Sequence, residues 1–245
     1  MATTWDAHAY AASLRRDDER LLRAAQRRLG APVPSCPDWT MADLVYHLGW
    51  VHRFWGQIVA GRLTEPGGYV HPDRPADDAL LDWFRQTCDG VADVLVHADP
   101  GEEVWSWSTQ KDVAFVQRRM AQEAAVHTWD AVGAVGAREP IDADLAVDGI
   151  DEYIDLFMPV WVRQPVDPGP YSVSLRASDR PARWWLEVRH GELSTSRAGL
   201  VADAIVSGTA SDLLLLLWGR AEPAALEVEG EPTALERLIK RTVIN

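Results

Sequence analysis

The sequence predicts an α+β protein in two parts: a four-helix bundle over residues 1–140, then a small mixed domain of helices and strands over 141–245. Three observations predict it. Before residue 136, apolar residues recur at helical spacing in four long segments. After residue 170, short segments rich in β-branched and aromatic residues alternate with turn residues. Between the two, "GAREPID", opening at Gly136, breaks the pattern and reads as a linker.

The first helix is expected over 5–29, with Tyr10, Leu14, Leu21, Leu22 and Ala25 inward; Gly30 and Pro32 end it. "APVPSCPD" is too rich in proline to be helical. Thr40 then stands three residues before Asp43, an N-cap arrangement opening a second helix that runs to 61. Its inward stripe reads Leu44, His47, Leu48, Val51, Phe54, Trp55, Ile58. A third helix fits 75–97, facing inward through Leu80, Leu81, Phe84, Cys88, Val91, Val94 and Leu95 and closed by Pro100 and Gly101. The fourth, over 112–135, turns Val113, Val116, Met120, Ala124, His127, Ala131 and Ala134 inward.

A helix over 144–161 opens the second domain. Strands follow at "YSVSLRA", "RWWLEVRH", "ELSTSRA" and "DAIVSG", with "HGE" as a hairpin turn between the second and third. A helix over 211–218, a strand at 226–228 and a last helix over 232–241 complete it.

Composition narrows the function classes. The 245 residues can bury a sizeable core, and 47% hydrophobic with 25% charged residues excludes extended disorder. A net charge of -13 disfavours binding to nucleic acid, which needs clustered lysine and arginine. The N-terminal residues lack a signal-peptide pattern, and the longest apolar run, "LLLLLW" from Leu213, is too short to span a bilayer, so a cytoplasmic protein without membrane contact is expected. The two cysteines, Cys36 and Cys88, form no metal or disulfide pattern. Both are expected reduced. Cys36 could serve as a reactive thiol beside its turn, but a small buried hydrophobe is the plainer expectation.

Candidate chemistry lies in the helical half. Glu123 and His127 stand one turn apart on an otherwise apolar helix face. Burying a carboxylate there costs several kcal/mol, about what a missing partner must supply. His47 interrupts the inward stripe of the second helix in the same way. Two imidazoles and a carboxylate converging in a bundle make three corners of a tetrahedral metal site, leaving the fourth for water or a substrate thiol. The competing reading has each histidine merely hydrogen-bonded and Glu123 paired with Arg118 or Arg119 at the bundle rim. Without metal, burial should push the Glu123 carboxyl above its ordinary range. Asp130, one turn beyond His127, could orient that ring or be a solvated or salt-bridged carboxylate. His52 lies five positions after His47, about 500° around the helix, and is read as a surface or rim residue. Trp50, Trp55, Trp105 and Trp107 could wall a pocket or belong to the core.

The stretches "VPSCPDWTMADLVYHLGWVHRFW", "EAAVHTWDAVGAVG", "IDADLAVDGIDEY" and "GTASDLLLLLWGR" resemble the mycothiol-dependent maleylpyruvate isomerase family over nearly the whole chain. The resemblance implies a DinB-like four-helix bundle carrying zinc, then a domain similar to sterol-carrier proteins. It places the metal ligands on His47, Glu123 and His127, and a substrate-binding, catalytic arginine on Arg220, which otherwise reads as a cation at a helix C-terminus. The implied function is that of a zinc-dependent, mycothiol-using enzyme, monomer or homodimer, acting on a small electrophilic substrate. The reaction would be thiol-assisted cis–trans isomerisation or mycothiol S-transfer. The alternative is a non-catalytic metal-containing protein that binds a small apolar ligand.

Overall fold

A computed structural model of the chain describes residues 5–161 and 169–242. The chain divides into two compact units, Met1–Glu139 and Pro140–Asn245. The described residues of the first form four helices, α1 (Ala7–Ala25), α2 (Met41–Ala60), α3 (Asp77–His97) and α4 (Val113–Ala134). Each of α1 and α2 packs against both α3 and α4, so α1 faces α2 only across the bundle diagonal.

The helix starts are written in the sequence. Asp6 accepts from the Ala9 N–H, and Asp112 from the Phe115 N–H. Thr40 and Asp43 form a reciprocal capping box, in which the Thr40 hydroxyl and N–H both donate to Asp43 Oδ2, at 2.6 and 2.9 Å, and the Asp43 N–H donates back to Thr40 Oγ1 at 3.3 Å. On α3 no side chain caps the first turn, but Asp77 and Asp78 stand there and oppose the positive end of the helix dipole. The proline-rich connection before α2 is a hydrogen-bonded turn: the Cys36 N–H donates to the Val33 carbonyl, the Trp39 N–H to that of Cys36, and the Val33 N–H to that of Trp39. It holds Cys36 and Trp39 beside the start of α2.

The bundle core is made of Leu14, Leu21, Leu44, Leu48, Leu80, Phe84, Leu95, Val116 and Met120, each at most 1% exposed. Burying each such side chain contributes about 1.5–3 kcal/mol. α4 is covered almost all round, with 16 of its residues buried. His52 departs from its expected rim position, being fully buried. The reason is the width of the buried face of α2. Val45, Leu48 and Val59, on His52's side of the helix, are buried as well, because α2 packs on two neighbours rather than one.

In the second unit, the expected single helix over 144–161 starts as α5 (Ala143–Glu152), widens into a π turn (Tyr153–Phe157) and ends as α6 (Met158–Trp161). A five-stranded sheet follows, built of β1 (Tyr171–Ala177), β2 (Arg183–Arg189), β3 (Glu192–Ser196), β4 (Ala204–Gly208) and β5 (Glu227–Gly230) in the order β3-β2-β1-β4-β5. Only β1 and β4 pair in parallel. His190 and Gly191, both at positive φ, form the two-residue turn between β2 and β3, as "HGE" led one to expect. Two helices, α7 (Ala210–Leu217) and α8 (Pro232–Thr242), lie on β1 and β4, and α5 packs on α7.

The capping box gives a pH-dependent test. Hydrogen bonds from the Thr40 hydroxyl and N–H hold the Asp43 carboxyl below its ordinary range. A depressed folded-state value adds stability above the unfolded value, and that stability is lost as acid protonates the group. Thr40→Ala should therefore cost about 1 kcal/mol at neutral pH. In urea unfolding, the gap between variant and parent should shrink as pH falls through the depressed value; a constant gap would remove Asp43 from the cap.

Candidate metal centre

α2 and α4 are adjacent in the bundle, and their facing stripes bring three donors together. His47 Nε2 and His127 Nε2 each lie 3.3 Å from the same oxygen, Glu123 Oε1. The imidazole rings stand nearly perpendicular, with centroids 5.0 Å apart. One donor atom from each residue falls within 4.8 Å of the others. The side chains remain 24%, 20% and 11% exposed for His47, Glu123 and His127, so the cluster is reachable from solvent.

The groups behind these donors are enclosed. His127 Nδ1 lies 3.0 Å from Asp130 Oδ2, and Asp130 is fully buried, so the pairing turns Nε2 toward Glu123. Arg119, one turn before Glu123, donates from Nη2 to Glu123 Oε2 at 3.2 Å and leaves Oε1 to the histidines. The ion-pair reading of Glu123 and the three-donor reading thus hold together, with Arg119 buried rather than at the rim. The Cys36 thiol donates to Asp130 Oδ2 at 3.6 Å. Cys36 is only partly buried and touches this network, so it is not the small buried hydrophobe expected from its turn.

Aromatic rings border the donors. Trp39 lies 4.9 Å from the His47 ring and 6.4 Å from that of His127, and Trp50 meets His47 edge-on at 5.5 Å. Trp55, Trp105 and Trp107 form a separate cluster with Phe54 and Phe115. Of the four tryptophans singled out in the sequence, only Trp50 is thus in contact with a donor ring. Trp39 was not singled out; its one signal is its place directly before the Thr40 cap.

The electrostatics correct one expectation. Burial alone would raise the Glu123 carboxyl, but hydrogen bonds from His127 and His47, with the Arg119 charge, outweigh it and hold the group well below its ordinary range. Burial opposes the charged form of His127 too, yet hydrogen bonds with Asp130, Cys36 and Glu123 raise its pKa well above the ordinary value. The site therefore favours charge separation, and a cation at the donor edge would compete with the His127 proton.

These residues fit a divalent metal. At a tetrahedral zinc with bonds of about 2.0–2.2 Å, two ligand atoms lie about 3.4 Å apart, which is the spacing found on either side of Glu123 Oε1. The donor set, two imidazole nitrogens and one carboxylate oxygen, is that of open zinc sites, in which a fourth position is left for exchange. Arg220 belongs to the second unit, just past the end of α7, where its Nη1 donates to the Trp218 carbonyl at 2.8 Å. Trp218 packs on Tyr153 and Phe157 of the π turn, with centroids 4.9 and 4.8 Å away.

Comparison with known proteins gives two family matches. Residues 10–132 match the mycothiol maleylpyruvate isomerase N-terminal domain, and residues 144–237 match the C-terminal domain of the same family. No curated protein matches the chain. Among solved structures, the chain is similar to a mycothiol-dependent maleylpyruvate isomerase at 15% identity and a TM-score of 0.65, over 93% of this chain and 95% of that one. It is also similar to a histidine-to-alanine mutant of a mycothiol-dependent maleylpyruvate isomerase, at 14% identity and a TM-score of 0.63 over the same shares. The fold of both units is thereby shared with those structures. With both family domains matched in order along the chain, this protein belongs to the mycothiol-dependent maleylpyruvate isomerase family.

Proposed function

We infer that the protein is a zinc-dependent enzyme that uses mycothiol as a thiol cosubstrate and acts on a small electrophilic molecule. The observation that carries this reading is the convergence of His47 Nε2, His127 Nε2 and Glu123 Oε1 at a solvent-reachable edge whose rear is closed by buried Arg119 and Asp130. Family membership and the activity named for the two structural neighbours support the thiol and the reaction class. Zinc bound there supplies the positive charge that keeps a thiol in its nucleophilic thiolate form at neutral pH.

The chain's own residues do the rest. His47, Glu123 and His127 would hold the ion; Asp130 keeps His127 oriented by accepting a hydrogen bond from its Nδ1–H. Arg119 occupies Glu123 Oε2 and leaves Oε1 as the oxygen that would meet the ion. Trp39 and Trp50 flank the donor edge and give it an apolar border. Arg220 binds the substrate through its cationic guanidinium. None of the described helices is long and apolar enough to cross a membrane, and we place the enzyme in the cytoplasm. Isomerisation returns the thiol unchanged, whereas S-transfer consumes one thiol per turnover, so a free-thiol count during reaction separates them.

The first test is metal content after dialysis against a weak chelator. The parent is expected to hold near-stoichiometric zinc at this centre, and His47→Ala and His127→Ala are each expected to retain about one equivalent of zinc less than the parent with the helical circular dichroism intact. Equal metal in all three would overturn the site. Asp130→Ala should weaken zinc binding about 10–100-fold in a chelator competition, by releasing the His127 ring; unchanged affinity would deny Asp130 that role. Arg220→Ala should keep full metal and lose mycothiol-dependent turnover, and a loss of metal instead would show that Arg220 acts on the centre itself.

A further inference from the structure

The middle of the bundle contains a second group of donors that the proposed reaction does not use. Asp18 on α1, His52 on α2 and Cys88 on α3 come from three different helices and are 2%, 0% and 5% exposed. One donor atom from each lies within 4.8 Å of the others, and His52 Nε2 stands 3.7 Å from Asp18 Oδ1. By geometry neither carboxylate oxygen of Asp18 and neither ring nitrogen of His52 makes a sound hydrogen bond, and the side chain that bears on the Asp18 carboxyl is the Cys88 thiol, a member of the same group. Four buried polar atoms without a protein hydrogen bond are unusual, since buried polar groups are almost always paired.

The surroundings explain neither residue. His52 stacks on Phe84 at 5.8 Å between centroids, and Leu48, Leu80 and Leu95 are among the closed side chains of the same core. Burial pushes the Asp18 and Cys88 acids up and the His52 imidazole down to about 3, so each group alone would rest in its neutral form. A dication reverses that balance, because ligation favours the thiolate, the carboxylate and the neutral imidazole together.

We propose that Asp18, His52 and Cys88 form a second metal site, structural in character, for a divalent ion of borderline softness such as zinc. The donors are one thiolate sulfur, one imidazole nitrogen and one carboxylate whose two free oxygens complete four-coordination. One ion enters and two protons leave, from Cys88 and Asp18, so the occupied site is electrically neutral. The 3.7 Å between nitrogen and oxygen already matches the spacing of two ligands on one zinc, about 3.4 Å. A groove of about 470 Å³ between α2 and α3, lined by His52, Gly56, Thr87, Gly90 and Val91, runs beside the site. The ion ties α1, α2 and α3 together five residues along from His47.

Cobalt(II) titration of the full-length Cys36→Ser chain, stripped of metal and with no thiol added, tests this. Cys88 is then the only cysteine, so a thiolate-to-cobalt charge-transfer absorption in the near ultraviolet can arise only there. We expect that band to saturate at one equivalent and to persist when His47→Ala is added, which removes the other centre and so separates the two readings. Zinc should also raise the melting temperature of the double variant. Asp18→Asn, which keeps the core shape, should weaken cobalt binding at this site at least tenfold. Absence of the band, or its loss with His47→Ala, overturns the proposal, as does unchanged affinity in a folded Asp18→Asn chain.

Discussion

Inside the bundle, one carboxylate has to be made tolerable, and most of the local structure follows from how that is done. Removing a charged carboxylate from water costs several kcal/mol, of the order usual for buried ions, unless its lone pairs are occupied. Both oxygens of Glu123 are occupied. Arg119 takes Oε2 from one turn before, and the two imidazoles approach Oε1. Arg119, Glu123 and His127 follow at intervals of four, so α4 brings most of the compensation on one stripe. That stripe is useful only if α4 is fixed in rotation, and the packing of its other faces against α1 and α2 fixes it. His47 then comes from the neighbouring helix, whose start is set by the Thr40–Asp43 box and by the hydrogen-bonded turn before it.

The fold class and the helices were legible because their signals are periodic and their ends are capped by side chains. The three donors were legible for a related reason: a polar residue is visible when it interrupts an apolar stripe. Where the sequence misled, the missing information was the number of neighbours. His52 lies off the face defined by His47, and a helix packed on one side would have left it at the rim; α2 is packed on two. The Glu123 carboxyl was expected high because burial was known and its partners were not; adding two imidazoles and a guanidinium reverses the sign. Cys36 and Trp39 sit in an aperiodic turn, where no face can be assigned and only backbone hydrogen bonds decide direction. The π turn in the helix after residue 143 breaks no rule of composition and had no signal.

The two donor groups of the bundle invite comparison because they contain similar chemistry in different surroundings. In the outer group the two donors on α4 are each backed by a second partner, His127 by Asp130 and Glu123 by Arg119, and Asp130 is in turn met by Cys36. Such backing fixes orientation while leaving the outward edge open, which suits a centre whose ligand must come and go. The inner group lacks such backing at Asp18 and His52, whose polar atoms have no geometrically sound hydrogen bond.

Its physics is correspondingly different. A half-satisfied polar cluster in a core is worse than an apolar one of the same shape, by about 1–3 kcal/mol for each unpaired group. Leucine or valine at Asp18 and His52 would pack against Phe84 and the surrounding leucines without that cost. A carboxylate, an imidazole and a thiol meeting there from three helices are therefore the costliest way to fill the space unless something joins them. An ion does so with short bonds in several directions, which hydrogen bonds across 3.7 Å cannot. The same bonds would fix the rotation of α2, and with it the direction in which His47 points.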